Sequence, residues 1–195
     1  MKYEFTGETK EFFGSPLRRI RALVRFSNVD AGEVGGWIES ESNLNQSGDA
    51  WVYGDARVSD NARVSGDARV YGNARVSDNA QVYGDAQVYG DARVSADAWV
   101  YGDARVSDNA QVYGDDTFLT ITPIGSAGGV FTAYRTKDGT IACNRGCFRG
   151  TLDEFAAAVE RTHGDSAFGQ QYRLVIELAR LRIGTAVATE AEKHE

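Results

Sequence analysis

The chain is poor in the residues that side-chain chemistry most often uses. It holds two histidines, His163 and His194, and two cysteines, Cys143 and Cys147, among 195 residues. Two cysteines are too few for a disulfide framework and fit a reducing compartment. Excess positive charge is also missing. The formal net charge is −7 and the pI is near 4.9, which argues against a general affinity for nucleic-acid phosphate or an anionic membrane. No apolar run approaches the ~18 residues that suggest a transmembrane helix. The opening stretch Met1-Lys2-Tyr3-Glu4-Phe5 lacks the apolar core of a signal peptide, so a cytosolic protein is expected. With 42% hydrophobic residues and 22 glycines, the chain is nonetheless no low-complexity disordered tract.

What is present is a six-residue refrain. Valine recurs at 52, 58, 64, 70, 76, 82, 88, 94, 100, 106 and 112, and alanine stands two residues before each one. Residues two apart share one face of an extended strand, so Ala and Val face one way. The residue between them, and the Tyr or Ser that follows each Val, face the other. Pairs such as Gly54-Asp55 and Asp60-Asn61 then turn the chain, because Gly, Asp and Asn tolerate positive φ. A strand this short buries too little to stand alone and must stack on copies of itself. Three hexads per coil predict a triangular parallel β-helix with an 18-residue register, in which Gly48, Gly66, Gly84 and Gly102 share one corner.

The unit Val58-Ser59-Asp60-Asn61-Ala62-Arg63 resembles the hexapeptide of left-handed parallel β-helices, an aliphatic residue followed four later by a small one. The left hand is implied by that resemblance. The general rule for parallel crossovers points to a right hand.

The ends read differently. Residues 1–36 form a small N-terminal β cap, with strands at Tyr3–Phe5 and Leu17–Phe26 and turns at Asp30-Ala31-Gly32 and Gly35-Gly36. The β-helix covers 37–118, with Ile38 and Leu44 in the Ala frame of an irregular first coil and Phe118 in the Val frame. Residues 119–184 form an α+β module. Val130–Arg135 and Thr140–Asn144 flank Lys137-Asp138-Gly139, a hairpin signal. Thr151-Leu152-Asp153-Glu154 is a capping box opening a helix that ends near His163-Gly164, with Leu152, Phe155 and Val159 on its apolar face. A second helix runs from about Ser166 to Ile183 with an apolar stripe of Phe168, Tyr172, Val175, Ile176, Leu178 and Leu181. Residues 185–195 read as a disordered tail. The fold class is thus mainly β: a triangular β-helix, a β cap and a small α+β C-terminal domain.

The segments AGEVGGWIESESNLNQSGDAWVYGDARV and GCFRGTLDEFAAAVERTHGD resemble a group of bacteriophage and prophage proteins with hexapeptide repeats. That resemblance implies a phage-borne protein acting in the bacterial cytoplasm, and a role against host defence.

β-Helices also serve acyltransferases, which use a His as general base, and carbonic anhydrases, which bind Zn through several His. The hexad tract contains no His, Cys or Glu and no inserted loop, so catalysis on it is not expected. Cys143, Cys147 and His163 fall short of a metal set. They read as two buried thiols in a hairpin-to-helix loop and a helix C-cap, not as a metal site or a nucleophile–base pair. From Asp49 to Asp116 there are 12 Asp against 6 Arg, a column pattern that could imitate duplex phosphates, although Asp also suits corners for backbone reasons. A Thr ladder for ice is absent. Two outward ladders remain as tentative binding walls, Tyr53, Tyr71 and Tyr89 on one and Arg57, Arg75 and Arg93 on the next, since these residue types dominate hot spots. In the C-terminal module the tentative binding residues are Phe168, Tyr172 and Leu178. The expected function is a non-enzymatic, phage-type scaffold that binds a protein partner or a second copy through that module. It needs no cofactor, metal, membrane or direct nucleic-acid contact. The alternative is an inhibitor of a host anti-phage system, by protein binding, DNA mimicry or sequestration of a nucleotide signal. A third reading is an acyltransferase-like β-helix enzyme.

Overall fold

A computed structural model describes residues 1–184, in two compact units, Met1–Asn109 and a second beginning at Ala110. The tail expected over 185–195 lies outside the described residues. None of the described helices is long and apolar enough to cross a membrane.

The first unit opens with three long strands, β1 (Tyr3–Phe12), β2 (Ser15–Ala22) and β3 (Val34–Ile38). β1 and β2 form an antiparallel hairpin, and β2 pairs antiparallel with β3. The hairpin extends well beyond the strand expected at Tyr3–Phe5. The hexads then supply β4 (Trp51–Val52), β5 (Arg57–Val58), β6 (Arg63–Val64), β7 (Arg69–Val70), β8 (Arg75–Val76), β9 (Gln81–Val82), β10 (Gln87–Val88), β11 (Arg93–Ser95), β12 (Trp99–Val100) and β13 (Arg105–Val106). They sort into three parallel walls. One runs β4-β7-β10-β13, one β6-β9-β12, and one continues β3 through β5, β8 and β11. Each hexad pairs with the hexad 18 residues on, as in Arg57 with Arg75 and Val64 with Val82. The chain is a β-solenoid, as the sequence predicts.

Inside the tube the Ala and Val of every Ala-x-Val strand from Ala50 to Val106 are buried, while Ala96 stands exposed at a corner. The backbone is satisfied coil to coil: the Arg57 N–H donates to the Ala74 carbonyl at 2.9 Å and the Ser59 N–H to the Val76 carbonyl at 3.0 Å. Corners turn through left-handed residues. Gly48, Gly66, Gly84 and Gly102 share one such column, with φ between 62° and 73°. There the glycine is required twice over, since a Cβ on Gly66 would also lie 2.9 Å from the Gly84 nitrogen. At another corner Asp60 and Asp78 take φ near 57° without glycine. Their carboxylates accept from the backbone one coil on, from the Asp78 N–H at 3.3 Å and the Ala96 N–H at 3.1 Å. Beside them Asn61, Asn79 and Asp97 form an amide ladder with 3.2 and 3.0 Å steps.

The first coil departs from the expected frame. Ile38 stands opposite Val58 and Leu44 opposite Val64, so both sit in the valine column, not the alanine one. The extra length is taken up before Ala50, where Gln46 reaches back and its Oε1 accepts from the Lys2 N–H at 2.7 Å. Lys2 is buried there and donates from Nζ to the Ala50 carbonyl at 2.8 Å.

Burial lowers the Lys2 pKa to about 8 against the pull of Asp49 and Asp67, and burial lowers Lys10 to about 8 as well, with Arg57 adding to it. Unfolded, both sit at 10.5. Between pH 8 and 10 the unfolded chain holds more protons than the folded one, so stability rises with pH across that window. Above about pH 10.5, where the lysines of the unfolded chain have largely lost their protons, the trend reverses through Tyr3, raised from 10.0 to about 12 chiefly by burial. Trp37, Trp51 and Trp99 all lie in this unit, so the melting midpoint read by tryptophan fluorescence should climb from pH 8 to about 10.5 and then fall. Exchanging Lys2 and Lys10 for Gln should flatten the climb.

The second unit contains β14 (Gln111–Tyr113), β15 (Phe118–Ile124), β16 (Gly129–Arg135), β17 (Ile141–Arg145), β18 (Phe148–Thr151), α1 (Leu152–His163) and α2 (Ala167–Gly184). β15 to β18 form a four-stranded antiparallel meander. The expected hairpin is its centre, while β15 and β18 were not foreseen. The capping box forms: Thr151 Oγ1 accepts from the Glu154 N–H at 3.2 Å, and Glu154 Oε2 accepts from the Thr151 N–H at 2.8 Å. Leu152, Phe155 and Val159 of α1 are buried with Phe131, Ala133 and Cys143 of the sheet. On α2 the buried stripe is Tyr172, Val175, Ile176, Ala179 and Ile183. Phe168, Leu178 and Leu181, expected in that stripe, face solvent. Spacings of three, one, three and four residues from Tyr172 keep to one helix face, and 178 and 181 fall off it.

Candidate functional site

The sequence singled out two outward ladders. The structure places Tyr53, Tyr71 and Tyr89 in one column. Tyr53 meets Tyr71 edge-on at 6.5 Å, and Tyr71 stacks on Tyr89 at 4.8 Å with rings 2° from parallel. Two of the hydroxyls are engaged sideways: Tyr53 bonds Asn28 at 3.1 Å and Tyr71 bonds Gln87 at 3.3 Å. Burial raises the Tyr53 pKa. Trp51, on the same wall, is sealed beneath Phe26 and Tyr3 at 5.4 and 6.1 Å.

Arg57, Arg75 and Arg93 form the second column through the pairings of β5, β8 and β11. The tip of the β1–β2 hairpin lies over two of them. Phe12 sits 4.4 Å from the Arg57 guanidinium and 4.8 Å from that of Arg75. A cation over a ring face is worth about 0.5–2 kcal/mol. Burial lowers the Arg75 pKa, with the neighbouring Arg93 and Arg57 adding a smaller push in the same direction. Phe12 was not singled out, because nothing local in the sequence says where a hairpin tip folds.

The third wall carries an aromatic patch outside both ladders. Tyr83 stacks on Tyr101 at 5.6 Å, and Trp99 meets Tyr83 edge-on at 6.3 Å. Trp99 is 47% and Tyr101 45% exposed. Setting the hexads out every 18 residues would have shown this column beside Ser65.

In the second unit a hollow of about 370 Å³ lies among the turn at 125–129, β17, β18 and both helices. Its lining includes Ser126, Arg145, Phe148, Phe155, His163 and Tyr172. His163 ends α1, followed by Gly164, as expected, and its ring stands 5.4 Å from Tyr172 and 6.4 Å from Phe168. Tyr172 is therefore a core and cavity residue, whereas Phe168 and Leu178 are surface residues. Cys143 is buried on β17 as expected, whereas Cys147, also expected to be buried, is exposed because it lies in the turn between β17 and β18. Burial pushes the Cys143 thiol up to about 12, away from thiolate character.

Residues 50–66, 56–69, 68–84, 86–102 and 98–114 match the family described as the YdcK β-solenoid repeat. The coils are similar to YdcK-type repeats. A curated relative from Escherichia coli (strain K12), named as the uncharacterized acetyltransferase YdcK, is 43% identical over 54 residues. That match covers 24% of this chain and 17% of the relative. The chain thus shares the repeat architecture, and a short stretch of sequence, with a protein named as an acetyltransferase.

Proposed function

We propose that this protein is a non-catalytic scaffold whose second unit associates with a second copy of itself. The observation that carries the reading is the outer face of α2. Leu174 is 67%, Leu178 45% and Leu181 67% exposed, at spacings of four and three residues, opposite the stripe that fills the core. That spacing is the seam of an antiparallel helix pair, in which a two-fold axis sets Leu178 on itself and Leu174 against Leu181. The charges beside it are already held within the unit: Arg173 bonds Glu160 at 2.7 Å and Arg180 bonds Asp153 at 2.7 Å. A solenoid whose outward hexad positions offer Trp, Arg, Gln, Tyr and Ser suits a rigid support. The setting follows the N-terminal motif's resemblance, a bacterium carrying phage genes.

Light scattering at micromolar concentration should give about twice the 21.2 kDa chain mass, and Leu178→Arg should return it to one. A single-chain mass for the unaltered protein at every concentration refutes the proposal.

The name of the YdcK relative supports a second reading, acetyl transfer. It calls for a general base beside a coil, and from Ala50 to Asp115 the sequence offers Asp as its carboxylate and no His. Sustained acetyl-CoA turnover, abolished by an Asp→Asn change at a corner, would replace the scaffold reading with this one.

A further inference from the structure

The hollow in the second unit has the construction of a ligand site with a fixed positive group. Arg145 ends β17, and its guanidinium lies beneath the glycine-rich turn Gly125-Ser126-Ala127-Gly128-Gly129. Nη2 donates to the Ile124 carbonyl at 2.8 Å. Nε is buried and has no hydrogen-bond partner among the described residues. The lining holds no carboxylate to answer the charge. Arg145 is half-buried, and its Nε, shut off from water, keeps an N–H that a bound acceptor would satisfy.

The glycines let the turn pack closely against this group. A Cβ on Gly129 would stand 2.6 Å from Nη1, and one on Gly125 would stand 1.9 Å from the Tyr172 hydroxyl. Any larger residue at either position would drive into the groups that line the hollow. Beside Arg145 the lining is aromatic, with the Tyr172 ring 6.0 Å from its guanidinium. Phe148 packs 5.1 Å from Phe155, Phe155 lies edge-on to Tyr172 at 5.5 Å, and His163 closes one side. The volume falls within the range of small-molecule sites.

We infer that this hollow binds a small aromatic carboxylate, its anionic group on Arg145 and its ring among Phe148, Phe155 and Tyr172. The site is independent of self-association, since Tyr172 lies on the face of α2 opposite Leu178.

Benzoate is the probe, with benzamide as its uncharged counterpart and inorganic phosphate as an anion without a ring. Titration followed by calorimetry and NMR should show saturable benzoate binding that shifts the signals of Arg145, His163 and Tyr172. Benzamide and phosphate should each bind roughly tenfold to a hundredfold more weakly, the worth of one charge-assisted hydrogen bond or of the ring contacts. Arg145→Gln should lose a similar factor. Because Arg145 also braces Ile124, Ala158→Phe, which fills the hollow from α1, provides a second loss that leaves Arg145 in place. Circular dichroism establishes that each variant is folded. Equal affinity for benzamide or phosphate, full binding by folded Arg145→Gln, full binding by Ala158→Phe, or no saturation at millimolar benzoate would each overturn the inference.

Discussion

Val82→Asp should cost about 3–5 kcal/mol, because it places an unpaired carboxylate where water is excluded. Val82 is fully buried, with Val64 one coil before it and Val100 one coil after it in register. Among the described residues the interior from Ala50 to Val106 is lined by Ala and Val, which offer a carboxylate no counter-charge. The carboxylate therefore has three outcomes, all unfavourable: it protonates, it distorts the wall, or it separates the coils on either side. Urea denaturation read by tryptophan fluorescence should show the midpoint falling sharply. Arg63→Gln, on the exposed outer side of the same wall, should stay within about 0.5 kcal/mol of the parent. Equal tolerance of the two changes would mean that the valines do not line the tube.

Gly35→Ala should cost about 3 kcal/mol, and roughly 6–12 °C in melting temperature for a chain of this size. The added methyl would lie 2.6 Å from Trp51 Cζ2, 2.7 Å from the Val52 carbonyl oxygen and 2.8 Å from Ile20 Cγ1. Contact on three sides, one of them backbone, leaves no direction in which to yield. Gly7→Ala separates this effect from backbone strain. Gly7 has φ of 91° with nothing within 4 Å of its added methyl, so its cost is that of a left-handed alanine alone, about 1 kcal/mol. A Gly35 variant no less stable than the Gly7 variant would show that β3 does not sit tightly on the first coil.

The solenoid was legible because its signal is written eleven times, and Val at every sixth position leaves one consistent geometry. The same counting misled at the first coil. Ile38 and Leu44 were placed by an 18-residue period, whereas the turn from Ile38 to Val58 is longer, and no local pattern marks the added length. On α1 the capping box and the short stripe Leu152, Phe155, Val159 were sufficient. On α2 apolar residues lie on both faces, so composition could not say which leucines pack and which face water. The clamp of Phe12 on Arg57 and Arg75 and the hollow around Arg145 were out of reach for a common reason. Each joins segments far apart in the chain, and neither Phe12 nor Arg145 stands in any periodic pattern.

In the hexad stack each storey grips the one above and the one below and touches no other, as Val64, Val82 and Val100 do in turn. A duplicated 18-residue gene segment would slip in as one more storey, adding about 4.8 Å to the tube and continuing every column unbroken. A deletion of the same size would remove one as cleanly. The height of the stack is therefore a heritable quantity that changes in equal steps, while the residues that close its first end stay as they are.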